Sequence, residues 1–111
     1  MHLLNFVFSI ECCVAGLDPQ TSEVPKNLGK EIDLAFANVE AALKAAGGKG
    51  WEQVYKVRSY HIPLDEEALE HTVRNLKKYT PNHRPLVTVV GVTSLAIPGM
   101  RIEIEVEADV R

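Results

Sequence analysis

Hydrophobic and polar positions repeat along this chain with two different periods. In Leu28–Ala46, Ile32, Phe36, Val39, Leu43 and Ala46 recur at steps of four and three, which marks one face of a helix. Asn27 is placed to cap its start. Gly47-Gly48 is placed to end it, because glycine enters the left-handed position after a helix without steric cost. Alanines at 35, 37, 41, 42, 45 and 46 favour the helix and permit close approach to a sheet. Asp65–Tyr79 predicts a second helix. Asp65 can cap it, and Leu64 and Leu69 flank the cap as a hydrophobic staple. Glu66, Glu67 and Glu70 come early and Lys77 and Lys78 late, as the helix dipole prefers. Leu69, Val73 and Leu76 form a narrow apolar stripe, and Pro81 ends the segment.

The remaining segments read as strands. Arg101–Ala108 alternates strictly, with Ile102, Ile104, Val106 and Ala108 on one side and Arg101, Glu103, Glu105 and Glu107 on the other. Pro85–Val92 is almost continuously apolar, which predicts a central strand. Pro98-Gly99 between these two segments is a turn signal and predicts an antiparallel pair. Val54–Ile62 is rich in β-branched and aromatic residues and stops at Pro63. Its faces are mixed: Val54, Lys56, Arg58 and Tyr60 fall on one, Tyr55, Val57, Ser59 and His61 on the other. Leu3–Phe8 and Ile10–Ala15 are strand material, and the turn-rich residues 16–27 form a loop. The order strand, strand, helix, strand, helix, strand, strand predicts an α+β fold, a mixed sheet with two helices on one face. The other face, with apolar content of its own, is expected to need another subunit.

At 111 residues the chain reads as a single domain, 1–111, with enough length to bury a core. Its 12 basic and 15 acidic residues give a formal charge of −3, so no nucleic-acid partner is expected. No apolar run reaches the ~18 residues of a membrane span, so no membrane partner is expected either. The start, MHLLNFVFSIECCVAG, lacks a basic region and is interrupted by Glu11, so it reads as strand rather than signal peptide. Cys12 and Cys13 are adjacent and would point to opposite faces of a strand, which disfavours a mutual disulfide. That pattern fits a reducing compartment, the cytoplasm or, in a eukaryote, the mitochondrion.

Dinucleotide, phosphate-loop, zinc-protease and CxxC signatures are absent. Gly47-Gly48-Lys49-Gly50 follows a helix and reads as a cap turn. His2, His61, His71 and His83 lack metal-ligand spacing, so no metal is expected. Two groups remain. Arg84 enters the strand Pro85–Val92, and Pro85 biases it to an extended backbone. A guanidinium at a strand mouth suits a bidentate grip on a carboxylate, although an ordinary surface arginine is the commoner case. Glu103 is the natural second group, because its strand should pair with the one Arg84 begins. Glu105 and Glu107 read as a solvated charged face. Cys12 and Cys13 read more readily as small buried hydrophobes than as reactive thiols.

The segments DPQTSEVP, NVEAALKAAGG, VYKVRSY, HRPLVTV and RIEIEVEA, in that order, resemble the Rid (reactive intermediate deaminase) family, also called YjgF-like or L-PSP endoribonuclease-like. The resemblance runs from Ile10 to Val110. It implies a chorismate-mutase-like α+β subunit in a homotrimer with clefts between subunits. It also implies hydrolysis of imines and enamines, released by pyridoxal-phosphate enzymes, to 2-keto acids and ammonia, with no cofactor or metal. Arg84 matches the family's carboxylate-binding arginine, and Glu103 the acidic residue that places the attacking water. Leu86 stands where active members commonly carry a cysteine, and Cys12-Cys13 where the family has Ser-Gly. That places Leu86 and Cys12 among the substrate-binding positions. The family's N-terminal tyrosine has no counterpart, and its glycine after Asp-Pro-x-Thr is Ser22 here.

Three functions follow as expectations. The first is an imine or enamine deaminase with Arg84 and Glu103 at its centre. The second is a non-catalytic trimer that binds small carboxylates such as 2-keto acids in the same cleft. The third, suggested by the family's older name, is an endoribonuclease, which the charge of −3 argues against.

Overall fold

The computed structural model describes residues 9–111; the expected strand Leu3–Phe8 lies outside the described residues. The elements are β1 (Ser9–Ala15), α1 (Leu28–Ala45), a short 3-10 turn (Gly50–Gln53), β2 (Val54–His61), α2 (Glu66–Tyr79), β3 (Leu86–Gly91) and β4 (Ile102–Asp109). The strands form one mixed sheet in the order β1-β4-β2-β3. β4 runs antiparallel to both β1 and β2, while β2 and β3 are parallel. Two helices pack on this four-stranded sheet, so the α+β expectation holds.

Both helix caps form as the sequence implies. Asn27 Oδ1 accepts from the Lys30 amide, and Asp65 Oδ1 from that of Ala68. Gly47 follows α1 with φ of 97°, and Ala46 lies outside the helix and exposed. The core joins one face of α1 (Ile32, Phe36, Val39, Leu43) to Ile102, Ile104, Val106 and Ala108 of β4. Val54 and Val57 of β2 complete it. Trp51 stacks on Phe36 with ring centroids 4.9 Å apart, and its indole N–H donates to the Phe36 carbonyl. The buried indole thereby keeps a hydrogen-bond partner while contributing its apolar area.

Four expectations are corrected. β3 is an edge strand of this sheet, not a central one, and it pairs with β2 rather than β4. The reason is connectivity: α2 is the crossover that two parallel strands require, so β3 is laid down beside β2. The chain then returns antiparallel on the other side of β2.

The apolar stripe of α2 is not its buried face. Leu69 and Val73 are 44% and 39% exposed, while Ala68, Thr72 and Asn75 are buried. Polar groups can occupy that face because each is satisfied. Thr72 Oγ1 donates to the Ala68 carbonyl, and Asn75 Nδ2 donates to Asp33 Oδ1 on α1 and to the His71 carbonyl.

The mixed pattern of β2 is resolved by a bulge between Val54 and Lys56. The extra residue lets Val54 join Val57, Ser59 and His61 on the buried side and leaves Lys56, Arg58 and Tyr60 on the open side.

The sheet face away from the helices is largely charged, and its apolar side chains include Leu86 and Val90 of β3. It carries Glu11, Glu103, Glu105 and Glu107 beside Lys56, Arg58 and Tyr60. The exposed apolar side chains gather along β3 and the outer side of α2. Leu86 is 72% exposed, Val73 and Val87 line one groove, and Leu64 lies beside Gly91.

Candidate functional site

The three glutamates of β4 share one face but have different partners. Glu107 accepts from the Tyr55 hydroxyl at 2.9 Å and lies 3.7 Å from Lys56 Nζ. Glu105 accepts from the Tyr60 hydroxyl at 2.9 Å and lies 3.9 Å from Arg58 Nη1. Glu103 sits opposite Tyr60 and Ala15 in the ladder, yet Tyr60 turns to Glu105. Its Oε2 accepts instead from the Cys13 thiol at 2.7 Å, and it has no ion pair among the described residues. Its Oε1 takes no hydrogen bond from them. Glu105 and Glu107 are thus the paired, solvated face that was expected, and Glu103 is the one of the three with no cation beside it among the described residues.

Cys12 and Cys13 point to opposite faces and are both free. Cys12 packs against the core, where burial pushes its thiol up. Cys13 is the one that meets Glu103. Burial, the hydrogen bond to Glu103 and the charges of Glu103 and Glu105 push its thiol up to about 12. Strand parity carried the signal: Ile10, Cys12 and Val14 are the inward set, which leaves Cys13 on the acidic face.

Arg84 lies in the turn between α2 and β3. The turn is fixed by the His83 Nε2–H, which donates to the Val54 carbonyl at 2.8 Å. Arg84 is exposed and makes no hydrogen bond or ion pair with the described residues. It lines a groove of about 730 Å³ whose other walls include Val73, Lys77, Thr80, His83 and Val87. Two residues on, Leu86 pairs with Lys56 at the start of β3.

Within one chain Arg84 and Glu103 do not meet. Val90, Tyr60 and Glu103 stand level across the sheet, and Arg84 precedes Val90 by six residues. The two are therefore about 20 Å apart along the strands, with β2 between β3 and β4. The expectation that their strands pair is overturned by the same crossover that puts β3 at the edge. Among the described residues there is also no cluster of metal-ligating side chains.

The model of the family described as Endoribonuclease L-PSP matches residues 12–110. No curated protein matches the sequence. Among solved structures, the YjgF gene product of E. coli is 24% identical, with a TM-score of 0.81 over 97% of this chain and 85% of that one. A Rid-family protein of unknown function from Yersinia pestis is 21% identical, with a TM-score of 0.81 over 93% and 79%. E. coli TdcF, solved with bound serine, is 21% identical, with a TM-score of 0.80 over 96% and 84%. These likenesses establish a shared YjgF-like fold.

Proposed function

The chain belongs to the Endoribonuclease L-PSP family, and from that premise we propose that it is a deaminase of 2-imino and 2-enamino acids. It works in clefts between the copies of a homotrimer. The observation that carries this reading is Glu103, a carboxylate with one oxygen held and one free on a face where its neighbours are neutralised. Arg84, a guanidinium with no partner among the described residues, supplies the complementary group.

In the proposed reaction Arg84 holds the substrate carboxylate and fixes the imine carbon. Glu103 Oε1 accepts a proton from a water as the water oxygen bonds to that carbon. The C=N double bond becomes single, and its electron pair stays on nitrogen. That proton then passes to nitrogen, giving a carbinolamine. The new hydroxyl gives up its own proton, by way of Glu103, to the same nitrogen; as the O–H electron pair becomes the second C–O bond, the C–N bond breaks and ammonia leaves. Water is the only co-reactant, so the scheme calls for no cofactor and no metal.

The separation of Arg84 from Glu103 supports a cleft built from two copies, Arg84 from one and Glu103 from its neighbour. The edge of β3, unpaired among the described residues, and the exposed Leu86, Val87, Val73 and Leu69 support the same assembly. Two free thiols suit a reducing compartment such as the cytoplasm, or the mitochondrion in a eukaryote.

The test is release of ammonia and 2-keto acid from an imino acid generated in situ by an amino-acid oxidase. Arg84→Ala should abolish the gain over spontaneous hydrolysis; full activity in that variant removes Arg84 from the site. A second reading, a carboxylate-binding trimer without turnover, is favoured by Leu86, whose side chain offers neither a donor nor a nucleophile. It predicts Arg84-dependent binding of 2-keto acids and no rate gain.

A further inference from the structure

We infer that Cys13 is a positioning residue for Glu103, its thiol holding Oε2 so that Oε1 alone faces the attacking water. This rests on the reading of Glu103 given above and adds to it a residue that acts only through that carboxylate.

The geometry is specific. In the β1–β4 ladder Cys13 stands directly opposite Glu105, with Glu103 on the diagonal. The direct partner is already engaged from the other side by Tyr60 and Arg58 of β2. The thiol turns to the diagonal neighbour, which has no cation beside it and lies within reach across an antiparallel pair, and meets its Oε2 at 2.7 Å.

The donor stays available because the thiol stays protonated. The charged groups of β4 that Cys13 faces, Glu103 and Glu105, both oppose its ionisation. Arg58 on β2 is spent on Glu105. Such a thiol is a poor nucleophile, and its use here is as a hydrogen-bond donor.

The consequence for Glu103 is loss of freedom. A glutamate on an open sheet face samples several rotamers, and fixing it during reaction costs entropy. A thiol clamp settles that cost beforehand and leaves one oxygen presented.

The experiment compares wild type, Cys13→Ala and Cys13→Ser by kcat and KM, with imino acid generated in situ. Cys13→Ala should lower kcat roughly tenfold and leave KM within about twofold, because the carboxylate loses the donor that holds it. Cys13→Ser should restore most of the rate, since a hydroxyl donates in the same place. A merely structural role would neither split kcat from KM nor be rescued by the hydroxyl.

A second measurement needs no turnover. In the Cys12→Ala protein, thiolate absorbance should stay low well above the usual thiol range. It should appear at least about one pH unit earlier when Glu103→Gln is added. Unchanged kcat in Cys13→Ala, or a thiol titration indifferent to Glu103, overturns the role of Cys13 while leaving deamination standing. Absence of turnover in the wild type overturns the deaminase reading and the positioning role with it.

Discussion

Glu31, wholly buried on α1, grips Arg101 at two points: Oε1 accepts from Nε at 2.7 Å and Oε2 from the backbone amide at 2.8 Å. The remaining reach of Arg101 goes to the loop, where Nη2 donates to the carbonyls of Pro25 and Lys26. Gly16 passes so close that a Cβ there would lie 2.1 Å from the Glu31 carbonyl oxygen. One ion pair thus ties the 16–27 loop, α1 and the entry to β4, two residues ahead of Glu103.

Removing one partner should therefore cost far more than a surface pair would. Glu31→Ala leaves the Arg101 guanidinium and amide without their acceptor, and a loss of about 3 kcal/mol is expected in urea unfolding. The lower end of the usual range applies because Arg101 is only partly buried. Glu31→Gln should lose less, since its amide oxygen can still accept from one of the two donors. Equal, negligible losses in both variants would show that the pair does not hold the loop.

His61 gives the stability a defined pH dependence. Its ring is fully buried on β2, Nε2 shares a hydrogen bond with Ser59 Oγ at 2.9 Å, and Nδ1 has no partner among the described residues. Burial pushes its pKa below the ordinary 6.5, only partly offset by the charge of Asp65. The unfolded chain thus takes up a proton near 6.5 while the folded one still refuses it. Stability from this group is complete above 6.5 and falls as pH drops from there to the lower folded value. Denaturant midpoints between about pH 7 and 5 should show this slope, and His61→Gln should flatten it. Asp33 acts in a separate, more acidic window. Desolvation raises its carboxyl, but hydrogen bonds from Asn75 and Arg74 outweigh that and hold it below 3.8. Its contribution is therefore present above 3.8 and lost as pH falls through the folded value.

If each cleft takes Arg84 from one copy and Glu103 from the next, two inactive variants should complement one another. Arg84→Ala and Glu103→Gln are each expected to be inactive alone. Mixed trimers reassembled at equal ratio regain one intact cleft wherever the right neighbours meet, about a quarter of all clefts. The deaminase rate of the mixture checks this directly. A mixture as inactive as its parents would place both residues in one copy's site, or neither in any.

How far the sequence could reach depended on whether a residue's neighbours are set locally. The α1 face, apart from Ala46, and the β4 alternation are local patterns, and both appear in the structure as read. The buried face of α2 was not legible because Thr72 and Asn75 are polar, and only their hydrogen bonds, one set reaching Asp33 on another helix, make burial possible. The edge position of β3 was hidden because a continuous apolar run looks the same wherever both its faces meet apolar groups. Glu103 could be singled out by resemblance, yet what separates it from Glu105 and Glu107 is which side chains of β1 and β2 the register brings to each. That register depends in turn on a bulge at Val54–Lys56 that no motif announces.

The apolar edge offers the most direct probe of assembly. Leu86 is 72% exposed at the open side of β3, and Val73 and Val87 border the groove that also holds Arg84. These side chains lie at the edge where a neighbouring copy would have to sit for Arg84 to reach another Glu103. A charge placed there would be stranded in an apolar contact in the proposed trimer but hydrated in a monomer, so it should act on association and not on folding. Leu86→Glu and Val73→Asp are each expected to weaken assembly by about 30-fold or more, the effect of a ~2 kcal/mol interface residue. Light scattering on a dilution series would show trimers giving way to monomers, while circular dichroism stays that of the folded chain. Deaminase activity should fall in step with the trimer fraction. A variant that stays trimeric at every dilution would move the interface away from β3 and α2.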